Sequence, residues 1–144
     1  LFPYTTLFRS MLAVTEDGHV SVRWLRDRPY TPGEPLIQAM QSFPVLVKPG
    51  GIMGFPADAD GGAPARRTVV AQDGEGNLLF IAAPRGTLSL HELAVFLAES
   101  DLGIDVALNL DGGRSTGLQF AAADTQVEID SLTAVPSVIA VERR

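Results

Sequence analysis

One segment of this chain reads as helix, and nearly everything around it reads as strand. Ser89, with Glu92 three residues later, forms a capping box, which satisfies two of the free N–H groups at a helix start. Leu90, Leu93, Ala94, Phe96 and Leu97 then recur at helical spacing on one face, and Gly103 supplies the stop. Upstream, Thr68-Val69-Val70-Ala71 and Leu78-Leu79-Phe80-Ile81-Ala82 are β-rich apolar runs joined by Asp73-Gly74-Glu75-Gly76-Asn77, a hairpin signature. Downstream, Asp105 to Leu110 is a strand of near-continuous apolar character. This order predicts an α+β fold, a mixed or antiparallel β-sheet packed with one main α-helix over about residues 89–102.

The flanking segments carry weaker signals. His19 to Trp24 alternates, with Val20, Val22 and Trp24 on one face, and reads as a half-buried strand after the Asp17-Gly18 turn. Arg28 to Pro35 reads as a loop, Leu36 to Met40 as a short helical turn, and Val45-Leu46-Val47 as a strand stopped at Pro49-Gly50-Gly51. Gly50 to Ala65 has no periodicity; a flap over a site and a disordered surface loop both fit it. Leu118–Ala121, Gln126–Ile129 and Ser137–Val141 are three more strand candidates. The first ten residues, Leu1 to Ser10, are unlike the rest and resemble translated sequencing adapter. They are set aside as a non-native segment, which leaves 11–144 as a partial domain with its natural N-terminus missing.

Composition narrows the function classes. The 144 residues are 46% hydrophobic and 19% charged, enough apolar surface for one globular core. A net charge of -6 argues against non-specific nucleic-acid binding, yet leaves room for a local anion site built from an arginine or two and backbone N–H groups. With no cysteine there is neither a disulfide nor a thiolate metal site. His91-Glu92 begins like a zincin helix, but Val95 stands where the second histidine is needed, and Asp58-Ala59-Asp60-Gly61 lacks the later ligands of a calcium loop. No cofactor or metal is expected. No apolar run is long enough to span a membrane, and an exported or cell-envelope setting stays open.

Chemistry concentrates in Asn109-Leu110-Asp111-Gly112-Gly113-Arg114-Ser115-Thr116-Gly117, where an apolar strand runs into a glycine-rich turn. Gly113-Arg114-Ser115-Thr116-Gly117 matches the G-x-S-x-G nucleophile elbow, but strand rather than helix follows the serine, and both histidines precede it. A plain hairpin turn, with Asp111 folding back on its own backbone, is one reading. A binding or reacting site is the other, favoured by the surplus of polar groups. Arg66-Arg67-Thr68 opens a strand of the same sheet; the arginines fit either a solvated edge or a bidentate phosphate clamp.

Asn109 to Gly113, followed by Ser115 and Thr116, resembles the N-L-D-G-G-x-S-S/T signature of the phosphodiester glycosidase domain. Gln41 to Val47 resembles that family's Q-S/A-x-P-x-L-V block, and Arg67-Thr68 with Asp73-Gly74 its R-T hairpin. Leu90 to Leu97 resembles its L-x-E-L-A-x-x-L helix, and Val135-Pro136 its closing block. The likeness runs in order over about residues 36–141. Two departures stand out: the family's upstream N-x-G-x-F-type motif has no counterpart, and Arg114 replaces a small residue or proline. The resemblance implies hydrolysis of a glycan phosphodiester, small or polymeric, to free sugar and phosphomonoester. It implies Asp111 as base for water or stabiliser of an oxocarbenium-like transition state, and Arg67 as the phosphate holder. Asn109, Ser115 and Thr116 would donate hydrogen bonds to the substrate, the Gly112 and Gly113 amides would form an anion nest, and Gln41 and Arg114 would line the site. A non-catalytic module that retains a cell-envelope glycan is the competing expectation.

Overall fold

The computed structural model describes residues 9–142. Residues 1–8 of the expected non-native segment lie outside the described residues; Ser10 pairs in the first strand. The capping box forms as the sequence predicts. Ser89 accepts from the Glu92 N–H at 3.2 Å and the Glu92 carboxylate accepts from the Ser89 N–H at 2.8 Å, which starts helix α1, Leu90–Glu99. Gly103, at φ 65°, lets the chain turn out of the helix into the next strand.

Among the described residues, ten strands accompany this helix. In chain order they are β1 (Ser10–Thr15), β2 (Val20–Trp24), β3 (Leu36–Ser42), β4 (Val45–Lys48), β5 (Ile52–Met53), β6 (Ala65–Asp73), β7 (Leu78–Leu88), β8 (Ile104–Asn109), β9 (Leu118–Ala122) and β10 (Thr125–Ile129). They form a five-stranded sheet in the order β5-β4-β8-β6-β7, a three-stranded sheet β2-β1-β3, and a hairpin β9-β10. Every pairing is antiparallel, so the mixed-sheet option falls away, and the fold is mainly β with one helix rather than a balanced α+β.

The five-stranded sheet is covered on both faces, which explains the near-continuous apolar character of β8. On one face Leu93, Ala94 and Leu97 of α1 pack with Leu46, Val47, Val69, Ala71 and Ala107. On the other, Val70, Val106 and Leu108 meet Leu12 and Val22 of the three-stranded sheet. Alternation along β6 and β8 therefore places Arg67 and Asn109 on the helix face, and Thr68 and Leu110 on the opposite face.

Three sequence expectations change. Leu36 to Met40 is not a helical turn but most of β3, because its residues pair along β1 from Leu36↔Thr15 to Met40↔Leu12. Ser137–Val141 forms no strand: it pairs with nothing among the described residues and leaves Val138 and Val141 exposed. The Gly50–Ala65 stretch is not a free flap. It contains β5 and a 3-10 turn at Ala57–Ala59, buries Phe55, and bonds to the start of α1 through Asp60.

Candidate functional site

The polar turn is not a hairpin. The strands on either side of it, β8 and β9, belong to different sheets, so the turn carries the chain out of the core sheet at the C-terminal end of β8. Its geometry is fixed from three sides. Asn109 donates from its backbone N–H to the Pro44 carbonyl at 3.0 Å and from its side-chain amide to the Phe43 carbonyl at 3.0 Å; the Ser42 hydroxyl donates to the Asn109 carbonyl at 2.5 Å. Thr116 is fully buried, and its hydroxyl bonds that of Thr68 at 3.2 Å. Arg114 donates to the Leu132 carbonyl at 3.0 Å while the Leu132 N–H donates to the Arg114 carbonyl at 2.7 Å. The segment after β10 is thus tied to the turn, and Arg66, which donates to the Asp130 carbonyl at 2.8 Å, ties it again.

The register of β6 and β8 decides what faces what. The pairs run Ala71↔Ala107, Val70↔Leu108 and Val69↔Asn109. The Leu110 N–H donates to the Thr68 carbonyl at 2.8 Å, so the register continues one step past the strand. The next step brings Asp111 level with Arg67. Gly112 then passes against the backbone, close enough that a Cβ would stand 2.8 Å from the Arg66 carbonyl oxygen. The following glycine, Gly113, takes φ 61° and begins a one-turn 3-10 helix through Ser115. Neither glycine amide donates a hydrogen bond among the described residues.

Asp111 is exposed, and its carboxylate has no hydrogen-bond partner among the described residues. The Asn109 side-chain oxygen is buried and likewise unpartnered. A buried acceptor with no donor is uncommon and marks a place where a donor from outside the chain fits. Arg67 is half-buried on the same face as Asn109. Its Nε donates to the Leu88 carbonyl at 3.1 Å and one Nη to the Ala63 carbonyl at 2.8 Å. Two of the five N–H donors of a guanidinium are thereby used and three remain. Burial lowers its pKa from the ordinary arginine value and the Asp60 carboxylate opposes that; the group stays charged.

Not all of the expected site residues meet. Asn109, Asp111, Gly112 and Gly113 lie together at the end of β8, with Arg67 level beside them. Gln41 is exposed on β3, paired with Met11, and its neighbour Ser42 is the residue that reaches Asn109. Arg114 is exposed and turned to Leu132, and Ser115 is half-buried beside it. Asp60 and His91, passed over in the sequence because neither completes a metal motif, sit at the same end of the sheet. The Asp60 carboxylate accepts from the His91 N–H at 2.9 Å, and His91 Nδ1 lies 2.9 Å from the Phe55 carbonyl. No group of three or more His, Cys, Asp or Glu residues suited to a metal ion occurs among the described residues. A hollow of about 450 Å³ lies at the opposite end of the sheet, between Trp24, Asp27, Asp73 and Asp105, and none of the expected site residues lines it.

No helix among the described residues is long and apolar enough to cross a membrane. No curated protein matches the chain. Among solved structures, a hypothetical protein from Synechocystis is 22% identical with a TM-score of 0.42, over 76% of this chain and 29% of its own length. The family model of the phosphodiester glycosidases matches residues 5–142, and with nearly the whole length matched, the chain belongs to the phosphodiester glycosidase family.

Proposed function

We propose that the end of β8 binds a sugar-1-phosphodiester and hydrolyses it to free sugar and a phosphomonoester. The observation that carries this reading is the β6–β8 register, which brings the unpartnered Asp111 carboxylate level with Arg67, beside a buried Asn109 oxygen that lacks a donor. An acid, a cation with spare donors and an acceptor for a hydroxyl are what such a substrate requires.

The chemistry explains why one carboxylate suffices. Glycosidases that release an alcohol use two, because the leaving alkoxide must be protonated. A phosphate ester leaves as a stable anion. Water adds to the anomeric carbon and gives a proton to Asp111, which passes it to solvent. The bond from that carbon to the phosphate oxygen breaks, and its electron pair leaves with the phosphomonoester. Arg67 and the Gly112 and Gly113 amides hold the phosphate charge, while the Asn109 oxygen accepts from a sugar hydroxyl. Thr116, its hydroxyl bonded to Thr68, anchors the turn from behind rather than touching substrate.

The test is turnover of a synthetic sugar-1-phosphodiester by this chain and by Asp111→Asn, with released sugar as the readout. A fall of roughly 10²–10³ in kcat is expected for a lost transition-state contact. Unchanged turnover in the variant overturns the assignment of Asp111. Glycan retained without sugar release, equally by both proteins, overturns hydrolysis in favour of a binding module.

A further inference from the structure

Arg67 bonds two segments that meet beside the start of β6. One is the aperiodic Gly50–Ala65 stretch, which offers the Ala63 carbonyl; the other is the β7–α1 junction, which offers the Leu88 carbonyl. Each of these acceptors lies within three residues of a backbone N–H that donates to Asp60. Gly62, beside Ala63, donates its N–H to one Asp60 oxygen at 3.2 Å. The His91 N–H, three residues beyond Leu88, donates to the second oxygen at 2.9 Å.

We infer that Asp60 is a positioning residue for Arg67: by joining the loop to the first turn of α1, its carboxylate holds the two carbonyls that aim the guanidinium along the end of β6. The inference rests on the reading of Arg67 as the phosphate-binding cation. Asp60 has no place in the chemical step. It is not a salt-bridge partner of Arg67 either, since the one ion pair within 4.0 Å among the described residues is Arg23 with Glu34. Its negative charge nevertheless favours the charged guanidinium that burial disfavours. Its own acidity fits the same picture. Burial raises the Asp60 carboxyl, but the bonds from Ser89, His91 and Gly62 and the Arg67 charge outweigh it, so the group titrates below the ordinary aspartate range. Two backbone N–H donors, one on each carboxylate oxygen, make a rigid joint between loop and helix, and an arginine clamp needs one, because its selectivity lies in the direction of its fork.

The experiment compares this chain with Asp60→Asn, Arg67→Lys and the double variant. The first readout is free of activity: solvent exchange of the Arg67 Nε–H, followed by ¹⁵N NMR, is expected to speed up about tenfold or more in Asp60→Asn as its bond to the Leu88 carbonyl loosens. Exchange at the wild-type rate overturns the inference. The second is kinetic: Asp60→Asn is expected to raise KM for a sugar-1-phosphodiester about fivefold with kcat nearly unchanged, and to add nothing further in the Arg67→Lys background. Additive effects overturn it, because a merely structural carboxylate weakens both backgrounds alike. If Asp60→Asn does not fold, Asp60→Glu, which keeps the charge on a longer stem, carries both comparisons. A wild-type chain that turns over no such substrate overturns the proposed function and leaves the exchange readout to decide the positioning role.

Discussion

Gly112 and Arg66 pass backbone against backbone, so close that one added methyl group at Gly112 would stand 2.8 Å from the Arg66 carbonyl oxygen. The neighbour is main chain in the middle of a tight junction and cannot swing aside. Gly112→Ala is therefore expected to destabilise the fold by about 1–3 kcal/mol, the cost of overpacking. Gly113→Ala is expected to cost about 1–2 kcal/mol for a different reason, since nothing crowds its Cβ but its φ of 61° is left-handed. Urea denaturation of both variants checks this. Adding Gly113→Asn separates the causes, because asparagine tolerates left-handed backbone and restores stability only where conformation, not space, is the problem.

The Thr68–Thr116 pair yields a second expectation. Thr116 is fully buried and the two hydroxyls are 3.2 Å apart, the link that fastens the turn to β6. Thr116→Val leaves the Thr68 hydroxyl without its partner and is expected to cost about 1–3 kcal/mol. Thr68→Val with Thr116→Val removes both polar groups at constant shape and should recover most of that loss. A double-mutant cycle on denaturation midpoints measures it, and a double variant as weak as the sum of the singles contradicts it.

The elements most legible in the sequence were those whose signals are local. The α1 capping box, the β6–β7 hairpin and the β8 strand are each specified within about a dozen residues, and all three form. Leu36–Met40 reads as a helical turn because its strand character comes from β1, some 20 to 30 residues upstream, and not from its own pattern. β1 carries no strand pattern of its own although Met11-Leu12-Ala13-Val14 precedes the Asp17-Gly18 turn; it lacks alternation because Met11, Leu12 and Ala13 are all buried. Ser137–Val141 shows the converse, a β-rich segment that finds no neighbouring strand among the described residues. In the candidate site, Asn109 to Gly113 stand out in the sequence through their density of polar groups next to glycine. Asp60 does not, because its partner His91 is 31 residues away and the two meet through a carboxylate and a backbone N–H, a pairing without sequence spacing.

Acid stability should track Glu34. Arg23 is 5% exposed and donates to the Glu34 carboxylate at 2.5 Å, and that bond, with a second from the Thr31 N–H, lowers the Glu34 pKa from 4.5 to about 2. A carboxyl depressed in the folded state contributes stability that is fully present above its unfolded pKa and is lost as pH falls through the folded one. The contribution should thus be constant above about pH 4.5 and fade toward pH 2. Urea midpoints for this chain and Glu34→Gln, measured from pH 2 to 6, should lie well apart at the upper end and converge at the lower. A gap independent of pH would mean that the bond, not the charge, carries the effect.

The helix start offers a local control on these longer-range arguments. Ser89 accepts from the Glu92 N–H, so Ser89→Ala should cost the roughly 1 kcal/mol typical of a lost cap. Glu92→Ala, which breaks only the reciprocal half of the box, should stay near or below that figure. Thermal melts rank the two, and a larger loss in Glu92→Ala would contradict this order.

The two adjacent arginines should separate by function. Arg66 lies beside Arg67 in β6, yet its Nη is turned to the Asp130 carbonyl, whereas Arg67 keeps three donors unspent at the level of Asp111. Arg67→Lys replaces a planar fork with a point charge and gives up paired bonds to a phosphate. Charge-assisted bonds of this kind are worth about 1.5–3 kcal/mol, so KM for a sugar-1-phosphodiester should rise roughly tenfold to a hundredfold. Arg66→Lys should instead loosen the segment after β10, seen as faster amide exchange around Asp130 to Leu132, with KM close to that of the parent chain. Were Arg66→Lys the variant with the raised KM, the phosphate would belong on the opposite face of β6, beside Thr68 rather than Asn109, and the site would have to be redrawn around that face.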